Sequence, residues 1–340
     1  MKSVLVTGVG TTAVVDVPTP EVGPGDVLVR MRACGICGSD GFYISIGGIP
    51  PRQGATPLGH EPAGEVAEVG ADVVGVAVGD HVVVNPIASR KSMIGSGGPG
   101  GALSESLLIP DAVLGTSLAI VPDHIPFAVA ALNEPMAVAR HAVNRTEPEP
   151  GDKVVIFGAG PIGLGAAIGY KRSGVGHVVV VDVIPSRLEK ALAVGADAVI
   201  NSAEEDVVAR LIELHGAGAT AMGKPRAGTD IYLDAAGVSV VLDTALAAAK
   251  HRATVGIVAV HKKPVPVDFG SLLDSEVNIV LSMGYPTEIF EVTDDIVAEW
   301  EKFALIISDE FDFADVDAAL TKATTPGAAD KVVVTFPGVA

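Results

Sequence analysis

The pattern of apolar and polar positions changes character near the middle of the chain. Residues 1–125 carry short valine-rich runs, Val27–Ala33, Glu65–Val69, His81–Val84 and Leu107–Ile109, set among glycines and prolines. That texture predicts an irregular, mostly β unit. From Gly151 the apolar runs alternate with helical segments: Val154–Phe157, Val178–Val181, Ala198–Ile200, Ile231–Leu233, Ala253–Val260 and Asn278–Met283. A strand covered on both faces loses polar alternation, so these runs with helices between them predict a doubly wound six-stranded parallel sheet, an α/β architecture. The proline-containing stretch Glu147–Asp152 reads as the linker that enters it. After the sixth run comes a helix containing Trp300 and Phe303, then a strand, Lys331–Phe336, that the parallel sheet does not need. The chain is therefore expected to return to its first unit, giving one domain from 1–146 with 286–340 and a second from 147–285.

Composition narrows the function classes. Hydrophobic types make up 49% of the 340 residues and charged types 19%, which excludes a disordered polymer and allows a full core. Lys and Arg number 23 against 41 Asp and Glu, a net charge of −18. Such a field repels phosphate backbones and anionic lipid, so neither nucleic acid nor a membrane surface is an expected partner. The two cysteines, Cys34 and Cys37, cannot frame a secreted fold of this length, which points to a reducing cytoplasm. The opening Met1–Gly8 reads as a strand rather than a signal peptide. The long uncharged run between Lys153 and Lys171 contains Pro161 and repeated glycines, a composition that suits a turn and a helix instead of a membrane span.

That run holds Gly158-Ala159-Gly160-Pro161-Ile162-Gly163, following an expected strand and opening an expected helix, the context in which G-x-G-x-x-G signifies dinucleotide binding. Gly158 permits the tight turn, Gly160 removes a side chain where pyrophosphate approaches, and Gly163 lets helix and strand pack closely. The helix N-terminus, with Pro161 and Ile162 in its first turn, offers free N–H groups to the phosphates. Asp182, roughly twenty residues on, is spaced to accept hydrogen bonds from the adenosine ribose and would repel a 2′-phosphate, favouring NAD over NADP. Arg187 can stack on adenine, accommodate a 2′-phosphate or sit solvated on the next helix. Asp234-Ala235-Ala236-Gly237, ending the fourth strand, lies where ligands bind in such sheets.

Three scattered segments offer metal-ligand types: Cys34-Gly35-Ile36-Cys37-Gly38-Ser39-Asp40, Gly59-His60-Glu61 and Asn133-Glu134-Pro135. Thiolate, imidazole and carboxylate all suit zinc. Singly, each has a plain structural reading as a turn or helix-start residue. In this order, and followed by the glycine-rich turn, they resemble the zinc-containing medium-chain dehydrogenase/reductase family, in particular its sorbitol, threonine and butanediol dehydrogenase branch, over nearly the whole chain. The resemblance implies a GroES-like catalytic domain beside a Rossmann domain. It also implies hydride transfer between a secondary alcohol, polyol or hydroxy amino acid and NAD. Catalytic zinc would be held by Cys37, His60 and an acid that is either Glu61 or Glu134. Zinc acts in such enzymes as the Lewis acid on the substrate oxygen, and Ser39 is placed to take the hydroxyl proton.

Departures from the family pattern shape the rest. No distant third-ligand cysteine exists, which disfavours ethanol-type chemistry. The stretch Asn85–Ser92 has no cysteines where many relatives bind a structural zinc, so one zinc per chain is expected. Phe42 stands where sorbitol dehydrogenase-like members tend to have histidine, removing a terminus for a proton relay. Cys34 and Asp40 read as packing and bracing the turn, and His141 as a hydrogen-bonded core residue. Two other classes remain open at this level: a metal-free quinone or enone reductase of the same fold, and a non-catalytic NAD-binding regulator. The branch resembled forms tetramers or dimers, and the region Val277–Gly284 is the expected place for sheets to join.

Overall fold

The computed structural model describes residues 1–49, 52, 54–88 and 93–337. Part of the Asn85–Ser92 stretch, and parts of the expected substrate loops Gly41–Arg52 and Ser92–Gly101, lie outside the described residues. The chain divides into two compact units, Met1–Glu134 with Ile289–Ala340, and Pro135–Glu288. No helix among the described residues is long and apolar enough to cross a membrane.

The first stretch lays down β1 (Lys2–Gly8), β2 (Thr11–Asp16), β3 (Val27–Gly35), α1 (Gly38–Ile46), β4 (Thr56–Pro57), β5 (Glu61–Val69), β6 (His81–Val84), β7 (Ser106–Ile109), β8 (Leu118–Ile120), α2 (Phe127–Ala130) and α3 (Asn133–Arg145). Then follow β9 (Lys153–Phe157), α4 (Pro161–Arg172), β10 (His177–Asp182), α5 (Pro185–Ala193), β11 (Ala198–Asn201), α6 (Val207–His215), β12 (Ala217–Ala219), β13 (Pro225–Ala227), β14 (Ile231–Asp234), α7 (Ser239–Ala248), β15 (Thr254–Ile257), α8 (Phe269–Leu272) and β16 (Asn278–Leu281). The return comprises α9 (Glu291–Ala298), α10 (Trp300–Ala304), β17 (Asp309–Asp312), α11 (Val316–Thr324) and β18 (Val332–Thr335).

In the first unit β3 is the organising strand. It pairs with β5 along its length, with β7 at its N-terminal half and with β18 at its C-terminal half, through Ala33–Gly35. The order β17-β18-β3-β5-β6-β8 makes the larger sheet, and β2-β1-β4 a smaller one. Inward side chains such as Val29, Met31, Val66, Val82, Leu103 and Val334 form one core. The single helix expected around Trp300 is two, α9 and α10, because Glu299 takes a non-helical backbone with φ −137° and ψ 37°.

The second unit holds a six-stranded sheet in the order β11-β10-β9-β14-β15-β16, and every neighbouring pair is parallel. Strand order reverses between β9 and β14, which makes the carboxyl edge there the switch point where such sheets bind ligands. The fifth strand ends at Ile257 and not at Val260 as its apolar run suggested. Val258 N and Ala259 N both turn back to donate to Asp234 O, which ends the ladder. The crossover between β15 and β16 contains only the four-residue α8, and the small antiparallel pair β12–β13 has no counterpart in the sequence reading.

At the amino edge of this sheet sits a buried imidazole chain. His177 Nδ1 lies 3.1 Å from His215 Nε2, and His215 Nδ1 lies 2.7 Å from Thr229 Oγ1. Burial, then the neighbouring His177 and Lys153, pull the His215 pKa down to about 4. The unfolded chain protonates this ring near the ordinary histidine value of about 6.5. Its contribution to stability is therefore complete above that pH and is lost as pH falls toward 4, by about 2 kcal/mol at pH 4.5. Urea midpoints measured at pH 7 and pH 4.5 should show this loss, and His215→Gln should reduce it. An unchanged pH dependence in that variant would refute the assignment.

Candidate metal and dinucleotide sites

Strand register builds the first site. Gly35 pairs with Glu61 on one side and with Val333 on the other, so Glu61 and Lys331 converge across Gly35. A Cβ at Gly35 would lie 1.8 Å from Glu61 Oε2 and 2.9 Å from Lys331 Cε; only glycine leaves room. Lys331 Nζ is ion-paired with Glu61 Oε2 and also donates to Ile36 O at 3.1 Å. Both side chains are buried. Burial opposes a charge on Lys331, yet Glu61, then Cys37 and Glu134, outweigh it and hold the ammonium pKa above its ordinary value. Glu61 Oε1 is buried with no hydrogen-bond partner among the described residues.

Immediately after β3 the chain turns into α1 with Cys37 as its N-cap residue. Asp40 Oδ2 accepts from Cys37 N at 2.9 Å, and Asp40 Oδ1 accepts from Gly59 N at 3.4 Å and lies 3.5 Å from His60 Nδ1. Asp40 thus braces the turn, as the sequence suggested, and also faces the imidazole. Gly59 has φ +86°, and a Cβ there would sit 2.6 Å from Leu103 N, so the backbone that delivers His60 requires glycine. Burial opposes a charged His60, but the Asp40 carboxylate, followed by Cys37, raises its pKa well above the usual value. Ser39 Oγ lies 3.4 Å from His60 Nε2.

Cys37, His60 and Glu61 each offer a ligand atom within 4.8 Å of the others. Glu134, buried in the first turn of α3, is not one of that trio, although its charge acts on Lys331. The donor set and the orphaned Glu61 Oε1 fit zinc. Cys34 is fully buried and its thiol, donating to Gly35 O at 3.3 Å, is pushed up by burial and stays neutral. Phe42 is exposed. His141 Nδ1 pairs with Glu288 Oε1 at 2.9 Å, a satisfied arrangement.

In the second unit the glycine-rich turn joins β9 to α4. Gly158 has φ +101°, and a Cβ at Gly163 would strike Gly158 O at 1.8 Å, which is the close strand–helix approach the motif demands. By contrast a Cβ at Gly160 would meet nothing within 4 Å. Gly160 caps α4 without any side-chain bond, and Pro161 takes the first helical position ahead of Ile162, so the helix N-terminus keeps backbone donors for phosphate oxygens. Asp182 ends β10 with Oδ2 accepting from Ala159 N at 2.7 Å and Oδ1 accepting from Val183 N at 2.7 Å and Ile184 N at 2.9 Å. The carboxylate is held against the turn; Oδ1 already takes two backbone donors, and Oδ2, with one, keeps lone-pair capacity for a hydroxyl. Arg187 lies half-buried in the first turn of α5.

Comparison with known proteins agrees with both halves. The alcohol dehydrogenase GroES-like domain matches residues 23–118 and the zinc-binding dehydrogenase domain matches residues 161–299. The chain is 32% identical to an L-threonine 3-dehydrogenase of Streptomyces avermitilis over 94% of each chain. It is 31% identical to a sorbitol dehydrogenase of Bacillus subtilis over 82% of this chain and 81% of that one. The crystal structure of 2R,3R-butanediol dehydrogenase from Bacillus subtilis superposes with a TM-score of 0.86 at 27% identity, covering 99% of both chains. Domain matches in the order of the two sites, with relatives alike along almost their whole length, place this chain in the zinc-containing medium-chain dehydrogenase/reductase family.

Proposed function

We propose that the chain is an NAD-dependent zinc dehydrogenase of a secondary alcohol, with polyols, vicinal diols and β-hydroxy amino acids as the substrate classes, following the relatives it resembles. The carrying observation is the convergence of Cys37, His60 and Glu61 ligand atoms within 4.8 Å. Bound zinc supplies Lewis-acid polarisation of the substrate oxygen and bound NAD supplies the hydride acceptor. The chain's own residues do the rest. Cys37 and His60 anchor the metal, with Asp40 turned to Nδ1 so that Nε2 is the ring atom left to ligate. Glu61 or Glu134 completes the set. Ser39, whose hydroxyl lies beside Nε2, takes the proton of the substrate hydroxyl as it releases its own toward solvent. Asp182 favours NAD by repelling a 2′-phosphate, and Arg187 lies on the helix that follows it. The unit Met1–Glu134 with Ile289–Ala340 bears the zinc, and the unit Pro135–Glu288 binds the dinucleotide. With only two cysteines in the chain, a four-cysteine centre cannot form, so one zinc per chain suffices. Both thiols are free, which suits the cytoplasm.

The test is metal content after dialysis together with NAD reduction on a panel of sorbitol, butanediol and threonine. The expected result is close to one zinc per chain and turnover with at least one of these. Below about a tenth of an equivalent of zinc, the metal-free reductase reading would replace this one, since a catalytic zinc is stoichiometric.

We also propose that the protein is a homo-oligomer, a dimer or tetramer, joined through β16. This edge strand exposes Ile279 and Leu281, and Met283 just beyond is 86% exposed. An open apolar edge of this kind invites pairing with an identical edge about a two-fold axis. Ile279→Lys combined with Leu281→Lys should shift the species seen by light scattering to a smaller one, while a wild-type protein that is already monomeric would end the idea.

A further inference from the structure

A second pair of groups stands at the carboxyl edge of the parallel sheet, one strand beyond the reversal. Asp234 closes β14 and is 1% exposed. Its Oδ1 accepts from Ala236 N and Gly237 N, both at 2.9 Å, and its Oδ2 pairs with His261 Nε2 at 2.7 Å. The turn it caps is pressed against the glycine-rich turn, since a Cβ at Gly158 would lie 3.1 Å from Ala235 C and O. Gly237 in turn abuts Val260 O and Ala259 Cβ, so the loop after β15 that carries His261 is packed onto the same turn.

Oδ1 holds two backbone donors and His261 supplies the donor that the buried Oδ2 takes. The pairing also fixes the ring. In the neutral imidazole a carboxylate at Nε2 keeps the proton there, so Nδ1 is the acceptor. Nδ1 forms no hydrogen bond among the described residues, and the side chain is 16% exposed, open enough to be reached and too covered to rotate freely. Direction along the sheet decides what reaches it. Asp182 and the adenosine half belong to the β9–β10 side of the switch point. A dinucleotide with its pyrophosphate at the α4 N-terminus extends its other half over β14 and β15, strands about 5 Å apart.

We infer that His261, positioned by Asp234, contacts the nicotinamide-nucleoside half of the cofactor, its Nδ1 accepting a hydrogen bond from a ribose hydroxyl or from the carboxamide N–H. This rests on the dinucleotide reading above. His261→Ala is expected to weaken NADH about tenfold, the worth of one half-buried hydrogen bond, and to leave ADP within twofold, both measured by calorimetry. Asp234→Asn separates positioning from bulk. Oδ1 retains the two backbone donors, so the amide nitrogen must face His261 and donate to Nε2, moving the ring proton to Nδ1. NADH should weaken, by less than in His261→Ala where the partner is a ribose hydroxyl, which can accept from Nδ1–H where it donated before, with ADP binding and thermal midpoint nearly unchanged. ADP-ribose distinguishes the two donors: weakened in His261→Ala, it assigns the ribose; unaffected, the carboxamide. Unchanged NADH affinity in His261→Ala, or equal losses for NADH and ADP, overturns the inference. Wild-type protein that binds no NADH overturns the dinucleotide reading itself and this inference with it.

Discussion

Replacing Cys37 by serine is expected to abolish zinc retention and turnover together. The serine hydroxyl is a poor zinc ligand at neutral pH, whereas the thiolate is both anionic and soft. Its loss removes one of the three side chains brought within ligand distance. The fall in kcat/KM should be on the order of a thousandfold or more, since polarisation of the substrate oxygen goes with the metal. Cys34→Ser provides the contrast. Cys34 lies in the same turn, but its sulfur is spent on Gly35 O and it is fully buried as a neutral thiol. That variant should keep its zinc while losing some stability. Stoichiometric zinc in Cys37→Ser, measured by atomic absorption after dialysis, would remove the proposed centre.

The contrast between these two cysteines also shows what the sequence could and could not convey. The parallel sheet was legible because strands such as Val154–Phe157 and Val178–Val181 are covered on both faces and so run unbroken in valine and isoleucine. The β12–β13 hairpin was not, because Ala217–Ala219 and Pro225–Ala227 carry no alternation for a pattern to detect. In the site, residue types at motif spacing pointed to Cys37, His60, Glu61 and Glu134. In the sequence Lys331 is only the start of a last strand. Its meaning depends on β18 lying beside β3, with Glu61 across Gly35, and no local spacing encodes a partner that distant. A charged residue opening an otherwise apolar strand near the chain end was the one available signal. His261 carries no signal of its own for a similar reason: Asp234 ends a recognisable strand, but the loop that brings the imidazole back is fixed only by Val258 and Ala259 turning onto Asp234 O.

Lys331 then allows the two acids to be told apart. Lys331→Met removes the cation paired with Glu61 Oε2 in a fully buried pair, leaving that oxygen without its partner charge. In the zinc-free protein this should cost about 3–5 kcal/mol, the usual consequence of stranding one member of such a pair, visible as a lower urea midpoint. Adding Glu61→Gln should recover most of it, because the uncompensated charge is then gone. Zinc should also restore most of the loss in the single variant, since a divalent cation among Cys37, His60 and Glu61 supplies the missing positive charge and occupies the orphaned Oε1. Were the loss the same with and without zinc, Glu61 would stand outside the coordination sphere. The third-ligand role would then pass to Glu134, whose charge already acts at the same lysine.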